Sequence, residues 1–256
     1  MENLWTICLV VCPLVFLAGF VDSVAGGGGL ISLPAYLFVG IPPHLAAGTN
    51  KVVNGIGTAA AAWRYIRSGK VYLQAAVWAA LGALVGAAIG AKLALWCPED
   101  VLKGCMVAVL PVVAVFLAVK KDFGREPAAE RRWTVRQEHG LSVLIGLVIG
   151  VYDGLLGPGT GTFLLMSFTL VLGMDLLTAS GCAKVANLAS NVASAVVWIA
   201  AGKVLWLLVA PAVVCNVLGN LTGARYAIRG GSQKVRGMIF VVLGLLFVKM
   251  IWEVLL

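Results

Sequence analysis

Residues 19–29 read Gly-Phe-Val-Asp-Ser-Val-Ala-Gly-Gly-Gly-Gly, and residues 150–161 read Gly-Val-Tyr-Asp-Gly-Leu-Leu-Gly-Pro-Gly-Thr-Gly. In each stretch an aspartate, Asp22 or Asp153, closes an apolar segment and precedes a cluster of glycines. Such clusters interrupt a helix, because glycine lacks the side chain that restricts the backbone. Both stretches are therefore predicted to be irregular turns between helical segments.

The composition places these turns in a membrane protein. Of 256 residues, 61% are hydrophobic and only 12% are charged. Apolar segments recur near residues 4–22, 29–40, 45–66, 71–96, 101–119, 138–153, 161–174, 177–200, 204–228 and 235–255. The segments at 29–40 and 161–174 are too short to cross a hydrocarbon core of about 30 Å, so we expect half-helices or re-entrant hairpin arms there. The predicted fold class is an all-α polytopic membrane protein.

The two halves of the chain repeat one another. The glycine stretches are 131 residues apart, and after a short insertion the spacing becomes 133, which matches Lys51 to Lys184. We predict a first transmembrane repeat at 1–121, a linker at 122–136 and a second repeat at 137–256. Because each repeat holds an odd number of segments, five, the copies are predicted to have opposite orientations.

Basic residues cluster in two gaps between apolar segments, at 120–136 and 225–236. Lysine and arginine favour the cytoplasmic side, so both gaps are predicted to be cytoplasmic and both termini to lie outside. The net charge of +8 is spread over loops without interleaved aromatic residues, which argues against a nucleic-acid partner. No cleavable secretion signal is expected at the N-terminus. The lipid bilayer is a predicted partner, and a homo-oligomer is left open.

Residues that hold metals or perform catalysis are sparse. The six cysteines show no C-x-x-C spacing, and His44 and His139 fall at segment ends, where we expect loops. A G-x-S-x-G nucleophile turn is absent, and the glycines at 157–161 do not match the G-x-G-x-x-G pattern. We therefore predict no metal site, no cofactor and no enzymatic activity.

The glycine turns are predicted to form an anion site. Irregular backbone at membrane depth is tolerated where it borders a cavity, and the N-terminus of each following half-helix carries about +0.5 charge. Two such ends meeting near the midplane would bind an anion. The predicted ligands from these turns are Gly26, Gly27, Gly28, Gly29, Gly157, Gly159, Thr160 and Gly161. The alternative is that the glycines only permit close helix packing or a tight hairpin.

Lys51 and Lys184 are the second indication of an anion site, because each lies in an apolar segment at the same place in its half. A buried lysine is costly unless it is compensated, and an anionic substrate is one compensation. Neutral donors would come from Asn50, Asn54, Asn187, Ser190 and Asn191, which lie on the same stretches. The alternatives are a structural ion pair with Asp22 or Asp153, or a lysine that reaches the interface from a helix end.

The simplest role of Asp22 and Asp153 is to accept hydrogen bonds from exposed N–H groups of the embedded turns. The alternative is a proton-carrying carboxylate that couples anion movement to a proton gradient. The residue pattern leaves both roles open, along with a coupling cation.

The paired motifs resemble those of a known family. Residues 19–34 and 48–51 in the first half, with 150–161, 184–187 and 190–191 in the second, are similar to the TauE/SafE-type sulfite exporters, also called toluene sulfonate uptake permeases. The resemblance spans the full chain. It implies a carrier in the bacterial cytoplasmic membrane for sulfite, thiosulfate or sulfonates such as sulfoacetate, driven by an ion gradient, in either direction. A passive anion channel for the same cargo is the alternative.

Overall fold

The computed structural model describes residues 4–106, 108 and 133–255, and helices are the regular secondary structure of this part of the chain. The first half contains α1 (Leu4–Ala25), α2 (Gly29–Phe38), α3 (Pro43–Arg67) and α4 (Leu73–Trp96), followed by helical residues at 99–106. The second half contains α5 (Val135–Leu155), α6 (Thr160–Leu172), α7 (Leu176–Ala200) and α8 (Trp206–Leu255). Helix α8 is interrupted at Gly231, whose backbone is not helical (φ 66°, ψ −167°), between the apolar segments predicted at 204–228 and 235–255. The predicted all-α class is confirmed.

Five helical segments of the described residues are long and apolar enough to cross a membrane. They are Trp5–Ala25, Leu73–Trp96, Val135–Leu155, Leu176–Ala200 and Trp206–Val241. The 25-residue helix α3 does not qualify, since it carries Asn50, Lys51 and Asn54 among its apolar residues. The predicted half-helices are indeed short, with 10 residues in α2 and 13 in α6.

Turns at matching places in the two halves share one backbone conformation. Gly69 and Gly202, which follow α3 and α7, have φ of 69° and 67°, and Gly26 and Gly157 in the glycine turns have φ of 78° and 90°. These values lie in the left-handed region, where a side chain is unfavourable. The halves therefore share turn geometry as well as sequence, while their opposite orientation in a membrane stays a prediction.

Helices from different halves pack closely through glycines. A methyl group at Gly82 of α4 would lie 2.2 Å from the carbonyl oxygen of Val143 in α5, and one at Gly90 would lie 2.1 Å from that of Val151. Both helices advance in the same direction along this contact, so they run parallel. Helix α8 packs on α1 in the same way, with Gly219 against the main chain of α1. The first long helix of each half thus packs on the fourth helix of the other half.

Basic residues from the two halves of the chain lie together. Arg64 and Arg67 at the end of α3 line one groove with Arg225 and Arg229 of α8. Their cytoplasmic location stays a prediction. Most of the linker predicted at 122–136 lies outside the described residues, and α5 begins within its last part.

The two histidines are not in loops, contrary to the prediction. His44 lies in the first turn of α3, where its ring nitrogens are 3.1 Å from a carboxylate oxygen of Glu99 and 3.1 Å from the carbonyl oxygen of Ala94. His139 lies in the first turns of α5. Neither forms part of a metal-ligand group among the described residues.

Candidate functional site

The two glycine turns are in direct contact at the centre of the helix bundle. A methyl group at Gly26 would lie 2.2 Å from main-chain atoms of Gly161 and Thr162, and one at Gly29 would lie 3.3 Å from the carbonyl oxygen of Gly157. The hydroxyl of Thr162 donates to the carbonyl oxygen of the residue before Gly26, at 3.2 Å. The backbones therefore meet with no room for side chains at their closest approach.

A small polar cavity lies between the turns and the middle of α3 and α7. It is lined by Asp22, Gly27, Gly29, Asn50, Lys51, Asn54, Asp153, Gly157, Gly159, Thr160, Gly161, Asn187 and Asn191. Its room of about 20 Å³ is enough for a single water molecule. The site is polar and small, and most of the residues that line it are buried.

Lys51 forms a buried ion pair across the two halves. Its ammonium nitrogen lies 2.7 Å from Oδ1 of Asp153, and the two side chains are 6% and 3% exposed. Asp153 also accepts hydrogen bonds from the hydroxyls of Thr160, at 2.7 Å, and Ser190, at 2.6 Å. Every oxygen of this carboxylate therefore has a donor, as a buried charge requires.

Lys184 forms the reciprocal pair with the aspartate of the first half. Its ammonium nitrogen lies 2.8 Å from Oδ2 of Asp22, and the lysine is fully buried. Oδ1 of Asp22 accepts a hydrogen bond from the main-chain N–H of Gly28, at 3.3 Å. Asp22 therefore bonds to the main chain of its glycine turn, and both lysines form ion pairs with aspartates of the other half, while the roles of these residues in transport stay predictions.

The pairing changes the expected electrostatics of the site. Two lysines and two aspartates meet around the cavity, so their formal charges cancel. In this structure the side-chain charges therefore leave no net positive charge at the cavity, and the anion site stays a prediction. The groups that could still bind an anion are the main-chain and side-chain amide N–H groups. A lysine could do so as well if it gave up its aspartate and paired with the anion instead.

The structure gathers most of the predicted ligands but not all of them. Asn50, Asn54, Asn187 and Asn191 all line the cavity, as do Lys51 and six residues of the glycine turns. Four predicted ligands, Gly26, Gly28, Lys184 and Ser190, lie behind the lining residues. Lys184 contacts the cavity only through Asp22.

Two asparagines of α8 were missed by the sequence analysis. Asn216 and Asn220 are buried and join the cavity through Asn54, whose Oδ1 accepts from Asn216 at 3.0 Å. The available signal was a pair of amides four residues apart in an otherwise apolar segment. Their counterparts in the first half, 133 residues earlier, are Ala83 and Ala87. Comparison of the two halves therefore did not indicate that Asn216 and Asn220 are functional residues.

Long apolar helices interrupted at two opposed glycine turns, with buried ion pairs between the turns, are features of membrane transport proteins. The family model described as "Sulfite exporter TauE/SafE" matches residues 11–250. The chain belongs to this family of membrane transporters.

Similar proteins carry the same general description. The chain is 35% identical over 227 residues to the probable membrane transporter protein ORF9 of Sinorhizobium sp, which covers 89% of this chain and 85% of that protein. It is 30% identical over 240 residues to the probable membrane transporter protein YfcA of Escherichia coli (strain K12), covering 94% and 88%. A probable membrane transporter protein of Haemophilus influenzae is 29% identical over 242 residues, covering 93% and 92%. No solved structure matches the chain.

Proposed function

We propose that this protein is a secondary transporter of small sulfur-containing anions, such as sulfite, thiosulfate and sulfonates including sulfoacetate, in the bacterial cytoplasmic membrane. The observation that carries the proposal is the meeting of two glycine turns around a buried cavity that also holds Lys51. The family description, sulfite exporter, supports the class of cargo. Oxyanions of sulfur offer several acceptor oxygens at short range, which suits a cavity bordered by amide and ammonium donors.

The anion would take the place of Asp153 as the partner of Lys51. A lysine that gave up its carboxylate without a replacement would leave two buried charges unpaired, at a cost of several kcal/mol. An anion entering between Lys51 and Asp153 removes half of that cost, since it pairs with the lysine. Neutral donors from Asn50 and Asn187 and from the glycine turns would complete its shell.

The carboxylate of Asp153, once displaced from Lys51, suggests how transport is coupled to an ion gradient. An anion adds negative charge beside Asp22 and Asp153, whose charges are already balanced by the two lysines. A proton taken up by the displaced carboxylate, or a coupling cation, restores the balance in a low-dielectric site. Proton and anion would then move together.

The size of the cavity favours a carrier over a passive channel. Room for about one water molecule is too little for sulfite, which has four heavy atoms, so the walls must separate before the anion enters. Broken helices from two repeats that rock against each other around a fixed site provide such a movement. The site would open to one side of the membrane at a time.

Flux measurements with purified protein in proteoliposomes test this proposal. We expect uptake of sulfite, thiosulfate or methanesulfonate to saturate with concentration, and a pH-sensitive dye inside the vesicles to report protons entering with the anion. Empty liposomes are the control. Flux that rises linearly without saturation would indicate a channel, and no flux of any sulfur anion would overturn the proposed class of cargo.

A further inference from the structure

Four asparagines form a continuous chain of hydrogen bonds that ends in the cavity, and we call it the asparagine ladder: Asn220, Asn216, Asn54 and Asn50. Asn220 Nδ2 donates to Asn216 Oδ1 at 2.8 Å, Asn216 Nδ2 donates to Asn54 Oδ1 at 3.0 Å, and Asn54 Nδ2 donates to Asn50 Oδ1 at 3.1 Å. Asn216 and Asn220 are 0% and 1% exposed. The first two members belong to α8 and the last two to α3.

Main-chain carbonyl groups fix the direction of the ladder. The Nδ2 of Asn220 lies 3.0 Å from the carbonyl oxygen of Asn216, and the Nδ2 of Asn216 lies 3.4 Å from that of Val15. A carbonyl oxygen only accepts, so each of these positions must be the amide nitrogen and not the amide oxygen. Asn54 must then present its oxygen to Asn216 and its nitrogen to Asn50.

The end of the ladder is therefore a donor. The oxygen of Asn50 is occupied by Asn54, and its Nδ2 has no hydrogen-bond partner in the part of the chain that the structure describes. Asn50 is 3% exposed and lines the cavity. On the opposite wall, Asn187 likewise has its oxygen occupied by Asn191, at 3.3 Å. Among the described residues, the Nδ2 atoms of Asn50 and Asn187 thus remain for a ligand.

The asparagine ladder is not required for α8 to pack against its neighbouring helices. At the corresponding positions of the first half, Ala83 and Ala87 pack against glycines of α5, so an apolar solution exists in the same fold. Buried amides are costly unless all their groups are bonded, and Oδ1 of Asn220 has no partner among the described residues. Gly57 also makes room for the ladder, since a methyl group there would lie 1.7 Å from Asn216 Oδ1.

We propose that Asn216 and Asn220, which do not line the cavity, are positioning residues that hold the amide of Asn50 with its N–H groups toward the bound anion. The site then selects ligands that present only acceptor atoms at this point, namely deprotonated oxyanions, and disfavours ligands with a hydroxyl or N–H group there. Without the ladder the Asn50 amide is free to turn its oxygen toward the anion. This inference rests on the proposed function.

Replacing both residues with alanine, as Asn216→Ala/Asn220→Ala, reproduces the alanine pair of the first half and tests the proposal. We expect the KM for methanesulfonate uptake to rise about tenfold, the size expected when one hydrogen bond to a charged group is lost. The maximal rate and the unfolding temperature without anion should change little. Thr222→Ala is the matched control, because in the described part of the chain this α8 hydroxyl donates to carbonyls of its own helix and to no other group.

An unchanged KM in the double variant would overturn the role of the ladder while leaving the proposed function intact. If the double variant does not fold, Asn220→Ala alone decides, since Asn216 then keeps its contact with Val15 but loses the donor that orients its oxygen. A wild-type protein that moves no sulfur anion would instead overturn the proposed function, and this inference with it.

Discussion

Replacing Gly26 with alanine should abolish the folded protein or lower its stability by about 4 kcal/mol or more, the range of the most damaging single substitutions. The new methyl group would lie 2.2 Å from main-chain atoms of the second glycine turn, which cannot move away as a flexible side chain can. The φ of Gly26, 78°, adds the strain of a left-handed residue. Yield of monodisperse protein and the unfolding temperature in detergent measure the effect.

Gly40→Ala distinguishes the two causes of the stability loss expected for Gly26→Ala, namely the steric clash and the backbone strain. Gly40 has nearly the same φ, 80°, but no atom of the described residues lies within 4 Å of a methyl group built there. This variant should lose only about 1–2 kcal/mol, the cost of the left-handed conformation. If the two variants were equally stable, the two turns would not be in contact in the folded protein.

Lys51→Met should lower stability by about 3–5 kcal/mol, because it leaves the carboxylate of Asp153 buried without its counter-charge. The double variant Lys51→Met/Asp153→Asn should recover most of this loss. Both hydroxyls that now bind Asp153 have a second acceptor, the carbonyl of Gly157 for Thr160 and that of Asn187 for Ser190. Unfolding temperatures of the two variants and the wild type measure the coupling between the charges.

Transport measurements distinguish whether Lys51 and Asp153 form a structural ion pair or part of the anion-binding site. We expect the double variant to fold and yet to show no saturable anion flux, since the cation that we propose as the partner of the anion is gone. Lys70→Met, which removes an exposed lysine outside the cavity, should keep both stability, within about 0.5 kcal/mol, and flux. A double variant that transports like the wild type would reduce Lys51 and Asp153 to a structural pair.

Most of the helical architecture was predictable because the membrane imposes simple rules on sequence. Apolar stretches long enough to span a membrane predicted the long helices. The two short apolar stretches, 29–40 and 161–174, predicted α2 and α6. The glycine turns were predictable as breaks, because successive glycines rarely continue a helix. Their matched positions also indicated that they meet, which the structure bears out in the contact between Gly26 and Gly161.

The partners within the site were less predictable, because they depend on packing between halves that are far apart in sequence. Sequence left open whether each lysine would bind a substrate or an aspartate, and nothing in the pattern chose Asp22 for Lys184 and Asp153 for Lys51. Periodicity gave the faces of single helices but not the parallel contacts of α1 with α8 and of α4 with α5. Asn216 of α8 reaches the cavity through its contact with Asn54 of α3, which periodicity also did not predict.

The most direct test of an anion site at Lys51 is the thermal stability of purified protein with and without sulfite, thiosulfate and methanesulfonate. A ligand at about 100 times its Kd stabilises the native state by about 2.7 kcal/mol, so the wild-type unfolding temperature should rise with at least one of them. The folded Lys51→Met/Asp153→Asn variant should show no such rise. An equal rise in both proteins would place the anion elsewhere and contradict the account.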